Sequence, residues 1–212
     1  MQFGGRFLAL ASIGVAATIG MTGCSSEPQQ AALPAGSTVV ALGDSLTYGY
    51  GASQETSYPT VLAELTKWTV INAGVNGDTS ADVLARVEDI VKQTPDLVLL
   101  GVGGNDVLQR IPPDTTRANI DATVDRLKSA NIDVVLIAEP YFSTSALFGK
   151  ASDNPLYKDI ASAQEIPLYS GGWSAILSDD TLKSDRIHAN AAGYRQFTQG
   201  LYAYLKEEGI AQ

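Results

Sequence analysis

The chain has 212 residues, with 14 Lys or Arg and 23 Asp or Glu, so its formal net charge at neutral pH is −9. Such an acidic surface argues against nucleic acid as a partner. A single cysteine excludes an internal disulfide, so an apolar core must stabilise the folded part.

The first 23 residues are typical of an export signal rather than of a folded element. Arg6 is their only charged side chain, and the uncharged run at 7–21 is shorter than the roughly 20 residues that a membrane-spanning helix needs. Small residues precede Cys24 and resemble a bacterial lipobox, which implies lipidation of Cys24 and anchoring in the bacterial cell envelope. The alternative is ordinary signal cleavage, which leaves Cys24 as a free thiol.

Residues 24–36 contain Ser, Pro and Gln without apolar periodicity, which predicts a flexible tether ahead of one domain at 37–212. In that domain, short buried-type apolar runs alternate with segments of helical spacing. This alternation predicts an α/β fold with a parallel sheet covered on both faces. The expected strands are 38–42, 68–72, 97–102, 134–138 and 168–169, and the expected helices are 58–66, 80–93, 115–130, 155–164 and 191–208.

The expected turn after the first strand contains Ser45. A serine hydroxyl becomes nucleophilic only when a base takes its proton and a third group orients that base. His188 is the only histidine in the chain, and Asp185 precedes it by three residues. His188 is therefore the candidate base and Asp185 the candidate orienting group, while Asp44 is expected to form hydrogen bonds beneath the turn.

Acyl transfer also needs hydrogen-bond donors for the developing oxyanion. The candidates are the backbone amides of Ser45 and Gly77 and the side-chain amide of Asn105, each close to the carboxyl end of an expected strand, where such sheets bind ligands. Each has a structural alternative: turn capping for Ser45, positive φ for Gly77 and loop closure for Asn105. Asp44 and Asp106 would suit a glycosidase or a metal site, but the lone histidine and the lack of a further acidic cluster argue against both.

Four segments resemble the blocks of the SGNH hydrolases, also called GDSL esterases, and in particular the bacterial thioesterase I, lysophospholipase L1 and arylesterase branch. They are Gly-Asp-Ser-Leu at 43–46, Asn-Gly-Asp-Thr at 76–79, Gly-Gly-Asn-Asp at 103–106 and Asp-Arg-Ile-His at 185–188. The resemblance implies a flavodoxin-like α/β/α sandwich with about five parallel strands. It also implies a triad of Ser45, His188 and Asp185, an oxyanion hole of Ser45, Gly77 and Asn105, and no cofactor or metal. The last block lacks the glycine and proline that are common in the family.

The implied reaction is the hydrolysis of carboxylic esters through an acyl-enzyme. The expected substrates are short or medium acyl esters, aryl esters, lysophospholipids or thioesters. Two alternatives stay open: removal of acetyl groups from envelope polysaccharide, and a lipid-anchored protein that binds a partner through an inactive hydrolase fold.

The segment 139–154 is long for a loop in a compact domain, and loops of this length are often functional. Four residues in it are expected to line an acyl pocket or a flap over the site, with ordinary packing as the alternative: Tyr141, Phe142, Leu147 and Phe148. Trp173 and the pair Tyr48 and Tyr50 are further candidates for the border of the site.

Overall fold

The computed structural model describes residues 1–2, 32–141 and 150–212. The expected signal and lipidation site at Cys24 lie outside the described residues, and so do Phe142, Leu147 and Phe148. In the described ranges, no helix is both long enough and apolar enough to cross a membrane.

Five parallel strands form one sheet in the order β2-β1-β3-β4-β5, which confirms the predicted fold class. The strands are β1 (Thr38–Gly43), β2 (Thr69–Gly74), β3 (Leu97–Gly101), β4 (Asp133–Ile137) and β5 (Leu168–Tyr169). The central strands β1 and β3 are buried along almost their whole length, which explains their continuous apolar sequences.

Helices cover both faces of the sheet and complete a three-layer sandwich. They are α1 (Ser45–Tyr48), α2 (Tyr58–Thr66), α3 (Ser80–Ala85), α4 (Val87–Val91), α5 (Gly104–Leu108), α6 (Pro113–Ser129), α7 (Leu156–Gln164), α8 (Gly172–Leu177) and α9 (Ala191–Glu207). One apolar core packs the sheet against α3, α4, α6 and α7, and the other packs it against α2, α8 and α9.

The helix expected at 80–93 is wrong as a single element, because the chain breaks at Arg86. The backbone there has φ −110° and ψ 6°, so α3 ends before Arg86 and α4 begins after it. The Arg86 guanidinium donates to Asp78 Oδ2 at 2.8 Å and to the Gly43 carbonyl at 2.9 Å. The short helices α1, α5 and α8 were not predicted, since periodicity cannot detect elements of four to six residues.

The end of the expected tether belongs to the packed domain. The Leu33 amide donates to the Ile210 carbonyl at 2.9 Å, and the Gly36 amide donates to the Lys67 carbonyl at 2.9 Å.

Trp173 is buried and stacks on Phe197 with 3.5 Å between ring centroids. Trp173 is therefore a core residue and does not border the site.

Three glycines align at the carboxyl ends of three neighbouring strands. In the sheet register Gly43 of β1 pairs with Gly74 of β2 and with Gly101 of β3. A Cβ atom at Gly43 would lie 2.1 Å from the Gly101 carbonyl oxygen, so only glycine allows this close packing. The loops that follow β1, β2 and β3 consequently leave the sheet side by side.

Candidate active site

Ser45 is the first residue of α1 and lies directly beyond the end of β1. The Asp44 carboxylate accepts a hydrogen bond from the Leu46 amide at 2.9 Å and caps this short helix. Asp44 and Leu46 are buried, whereas Ser45 is partly exposed. The Ser45 hydroxyl borders a shallow depression that is lined by Asp44, Ser45, Leu46, Gly104, Asn105, Leu108, Ile187 and His188.

The loop before α9 holds His188 against Ser45. Asp185 Oδ1 accepts hydrogen bonds from the amides of Ile187 and His188 at 2.9 Å each, and Asp185 Oδ2 lies 2.8 Å from His188 Nδ1. His188 Nε2 lies 3.0 Å from Ser45 Oγ. With a hydrogen on Nδ1 directed at the carboxylate, Nε2 is free to accept the hydroxyl hydrogen.

The carboxylate of Asp185 is stabilised in its charged form. Partial burial alone would raise its pKa, but hydrogen bonds from the His188 ring and from the Ile187 amide together hold the pKa below its ordinary value. The Asp185 side chain is 45% exposed and the His188 side chain 12% exposed. Asp185 is therefore an anion at neutral pH, and it orients a largely buried imidazole.

Tyr50 covers one face of the His188 ring. The two ring centroids are 4.5 Å apart, with 44° between the ring planes. The Tyr194 hydroxyl donates to the Tyr50 carbonyl at 2.9 Å and fixes the backbone of this turn. Tyr50, which the sequence offered only as one of several border candidates, therefore contacts the candidate base directly.

Asn105 is the second residue of α5, and it lines the same depression. Nδ2 donates to the Asp78 carbonyl at 2.9 Å and to Asp44 Oδ2 at 3.2 Å. Both amide hydrogens are thus used in this structure. The hydrogen bonds to Asp44 confirm it as a hydrogen-bonding residue beneath the turn. An oxyanion of the substrate can accept the second amide hydrogen of Asn105 in place of Asp44, whose bond is the longer one.

Gly77 lies in the exposed turn between β2 and α3 with φ +89°. A Cβ atom there would meet nothing within 4 Å, so the backbone conformation, not space in the protein, explains this glycine. The Gly77 amide donates to no residue that the structure describes. Arg86 joins this turn to the end of β1, since it binds both Asp78 and the Gly43 carbonyl.

Asp106 belongs to the fold and not to a second carboxylate site. It is fully buried, and its oxygens accept hydrogen bonds from the Ser80 amide, the Ser80 hydroxyl and the Thr116 hydroxyl at 2.5 to 3.0 Å. These bonds connect α5 to α3 and α6. Donors within the described part of the chain thus satisfy both carboxylate oxygens.

Glu139 was not among the predicted site residues; it lies just beyond β4 and is buried. Its Oε2 accepts the Gly104 amide at 2.7 Å. Burial and the neighbouring Asp44 raise the pKa of Glu139 well above its ordinary value, and burial raises the pKa of Asp44 to about 7. No local sequence signal identifies Glu139, because its role depends on contacts with Gly104 and Asp44.

Of the four residues expected to line an acyl pocket, only Tyr141 is described. It lines a depression beside the starts of α6 and α7, together with Pro113, Arg117, Asp153 and Leu156 among others. Tyr141 is not among the residues that line the depression over Ser45. A separate depression, at the amino ends of the strands, is lined by none of the candidate catalytic residues.

Comparison with known proteins finds similar hydrolases. Residues 41–196 match the sequence model of the GDSL-like lipase/acylhydrolase family. An arylesterase of Vibrio mimicus is 36% identical over 113 residues, which are 50% of this chain and 56% of that protein. The protein of Escherichia coli K12 named thioesterase 1/protease 1/lysophospholipase L1 is 31% identical over 165 residues, 74% of this chain and 77% of that protein.

Solved structures share the same fold. The psychrotrophic esterase EstA from Pseudoalteromonas sp., in a structure inhibited by monoethylphosphonate, superposes with a TM-score of 0.70 and 26% sequence identity. The superposition covers 81% of this chain and 97% of EstA.

Proposed function

The chain belongs to the GDSL-like lipase/acylhydrolase family and is an ester hydrolase of the SGNH type, and we propose that Ser45 is its nucleophile. The observation that carries this assignment is the continuous set of hydrogen bonds from Ser45 Oγ through the His188 ring to the Asp185 carboxylate. A serine hydroxyl is activated when a base lies within hydrogen-bonding distance of it and a carboxylate orients that base. Ser45 is partly exposed and has both groups.

The reaction proceeds in two halves. Ser45 Oγ attacks the carbonyl carbon of the ester while its proton passes to His188 Nε2. The tetrahedral intermediate then breaks the bond to the leaving group, which takes the proton from His188 and departs as an alcohol or a thiol. Water attacks the acyl-enzyme with the same base assistance, releases the carboxylic acid and restores Ser45.

The oxyanion of each tetrahedral intermediate is stabilised by three donors: the Ser45 amide, the Gly77 amide and Asn105 Nδ2. Two features support this role. The Gly77 amide has no hydrogen-bond acceptor among the described residues, and Asn105 borders the same depression as Ser45. Each such donor lowers the barrier for acyl transfer because charge accumulates on the oxygen only as the reaction proceeds.

The substrates that we propose are aryl esters, short or medium acyl esters, lysophospholipids and thioesters. The names of the two relatives, an arylesterase and a thioesterase with lysophospholipase activity, support this choice. Among the described residues, few side chains line the depression over Ser45, which is compatible with leaving groups of different sizes.

The test is hydrolysis of a panel of p-nitrophenyl esters, acyl thioesters and lysophospholipids by the wild type and by Ser45→Ala. We expect hydrolysis of at least one class by the wild type and none above background by Ser45→Ala. Ser53→Ala is the matched control, since Ser53 lies in the same connection and bonds only within its own turn. An inactive wild type, or an active Ser45→Ala, would refute the proposal, and the former would favour a binding protein.

We also infer that the protein is exported and lipidated at Cys24, which would place the catalytic domain at the bacterial cell envelope. The motif at 21–24 and the uncharged run before it support this inference. Cells expressing the wild type should incorporate radioactive fatty acid into the protein, and Cys24→Ala should abolish the incorporation. Equal labelling of both proteins would refute it.

A further inference from the structure

Glu139 is a buried carboxyl that joins β4 to the helix carrying Asn105. It is 1% exposed, and its Oε2 accepts the Gly104 amide at 2.7 Å. Gly104 is the first residue of α5 and immediately precedes Asn105. This hydrogen bond therefore fixes the start of the helix from which the Asn105 side chain extends.

The other oxygen of Glu139, Oε1, is buried and has no hydrogen-bond partner in the described part of the chain. It would lie 3.7 Å from a Cβ atom at Gly101, which pairs in the sheet with Gly43, the residue before Asp44. Asp44, which is 2% exposed, interacts with Glu139 closely enough that each carboxyl changes the pKa of the other. Two adjacent buried carboxyls cannot both be charged at low cost, so the pair keeps one proton at neutral pH.

The hydrogen-bond donors decide which carboxyl keeps the proton. Asp44 accepts from the Leu46 amide and from Asn105 Nδ2, and both donors stabilise a negative charge on Asp44. Glu139 accepts only from the Gly104 amide. The proton therefore resides on Glu139, whose unpartnered oxygen can direct it toward the Asp44 carboxylate.

We propose that neutral Glu139 is a positioning residue for ester hydrolysis, acting through the Gly104 amide on one side and the Asp44 carboxylate on the other. The proposal rests on the function proposed above. Asp44 and Gly104 together locate Asn105, so the placement of the oxyanion donor depends on Glu139. A neutral group is required because a second negative charge here would oppose the charge that develops on the substrate oxygen.

The test compares Glu139→Gln and Glu139→Leu in steady-state ester hydrolysis and in the rate of labelling by a fluorophosphonate. The glutamine amide accepts from Gly104 and donates to Asp44, so Glu139→Gln should keep kcat within about threefold of the wild type. Leucine has neither a donor nor an acceptor. Glu139→Leu should lower kcat and the labelling rate about 10- to 100-fold with KM little changed, since a small displacement of a catalytic group has effects of that size.

Tyr157→Phe is the matched control. The Tyr157 hydroxyl is buried and donates to the Val102 carbonyl at 2.9 Å, so its loss weakens the same region but removes no hydrogen bond to Gly104 or Asp44. We expect Tyr157→Phe to lower the melting temperature but to leave kcat near the wild-type value. If Glu139→Leu does not fold, Glu139→Met replaces it as an apolar side chain of similar length.

Three outcomes would overturn the proposal: an unchanged kcat in the apolar variant, a loss in Glu139→Gln as large as in the apolar variant, or an equal loss in Tyr157→Phe. If neither apolar variant folds, Glu139→Gln decides alone: retained kcat supports a neutral hydrogen-bonding group, and a tenfold loss or more contradicts it. A wild type that neither hydrolyses esters nor takes up the probe would instead refute the proposed function. The two failures are thereby distinguishable.

Discussion

His188 Nε2 lies 3.0 Å from Ser45 Oγ, although the two residues are 143 positions apart in the chain. The contact forms because Ser45 begins α1 at the end of the central strand β1, while the loop ahead of α9 returns to the same edge of the sheet. Two short segments at opposite ends of the domain thereby build one site.

Removing the base or its orienting group should reduce activity far more than stability. We expect His188→Ala to lower kcat by at least about 10³-fold, and Asp185→Ala by about 10²- to 10⁴-fold, because both changes remove assistance to proton transfer from Ser45. Steady-state ester hydrolysis measures both losses. Asp180→Ala is the control, since Asp180 is an exposed carboxylate of the same loop that pairs with Lys183, and it should keep wild-type activity. Activity retained in His188→Ala would contradict the assignment.

Asn105→Ala should lower kcat about 10²- to 10³-fold and leave KM nearly unchanged, because an oxyanion donor acts mainly in the transition state. The comparison variant is Asn119→Ala. The Asn119 side-chain amide donates to the Ser80 hydroxyl at 3.0 Å and does not line the depression over Ser45. The kcat of this control should stay near that of the wild type. A KM effect alone in Asn105→Ala would indicate ground-state binding instead.

Gly77→Ala should destabilise the protein by about 1 to 2 kcal/mol, since its φ of +89° disfavours a residue with a Cβ atom. Gly77→Asn should cost less, because asparagine tolerates positive φ better than alanine does. Urea unfolding measures both free energies. Equal destabilisation by both residues would show that contact with the side chain, and not the backbone conformation, determines the cost.

The buried Asp44 should make stability fall as the pH rises. Burial raises its folded-state pKa from 3.8 to about 7, so between these values the folded protein retains a proton that the unfolded chain has lost. The free energy of unfolding therefore decreases with increasing pH across this window, by up to about 4 kcal/mol. Urea unfolding between pH 4 and pH 8 should show a steeper decrease for the wild type than for Asp44→Asn. Parallel curves would exclude a raised pKa for Asp44.

Local sequence patterns predicted the strands and the three loops that follow β1, β2 and β3, because each strand has a short apolar run that stops where the loop begins. The runs of β1 and β3 are buried, whereas β2 is partly exposed. The position of His188 beside Ser45 was inferred from the expected fold and from the family resemblance, since spacing along the chain does not determine where a distant loop returns. Glu139 could not be predicted, because its role depends on contacts with α5 and the β1 turn that have no local signature. The break at Arg86 likewise depends on distant acceptors.

The central claim is that Ser45 is an activated nucleophile, and a fluorophosphonate probe with intact-mass measurement tests it most directly. We predict one adduct on the wild type and on Ser53→Ala, and no adduct on Ser45→Ala. An unlabelled but folded wild type, or an equally labelled Ser45→Ala, would contradict the account.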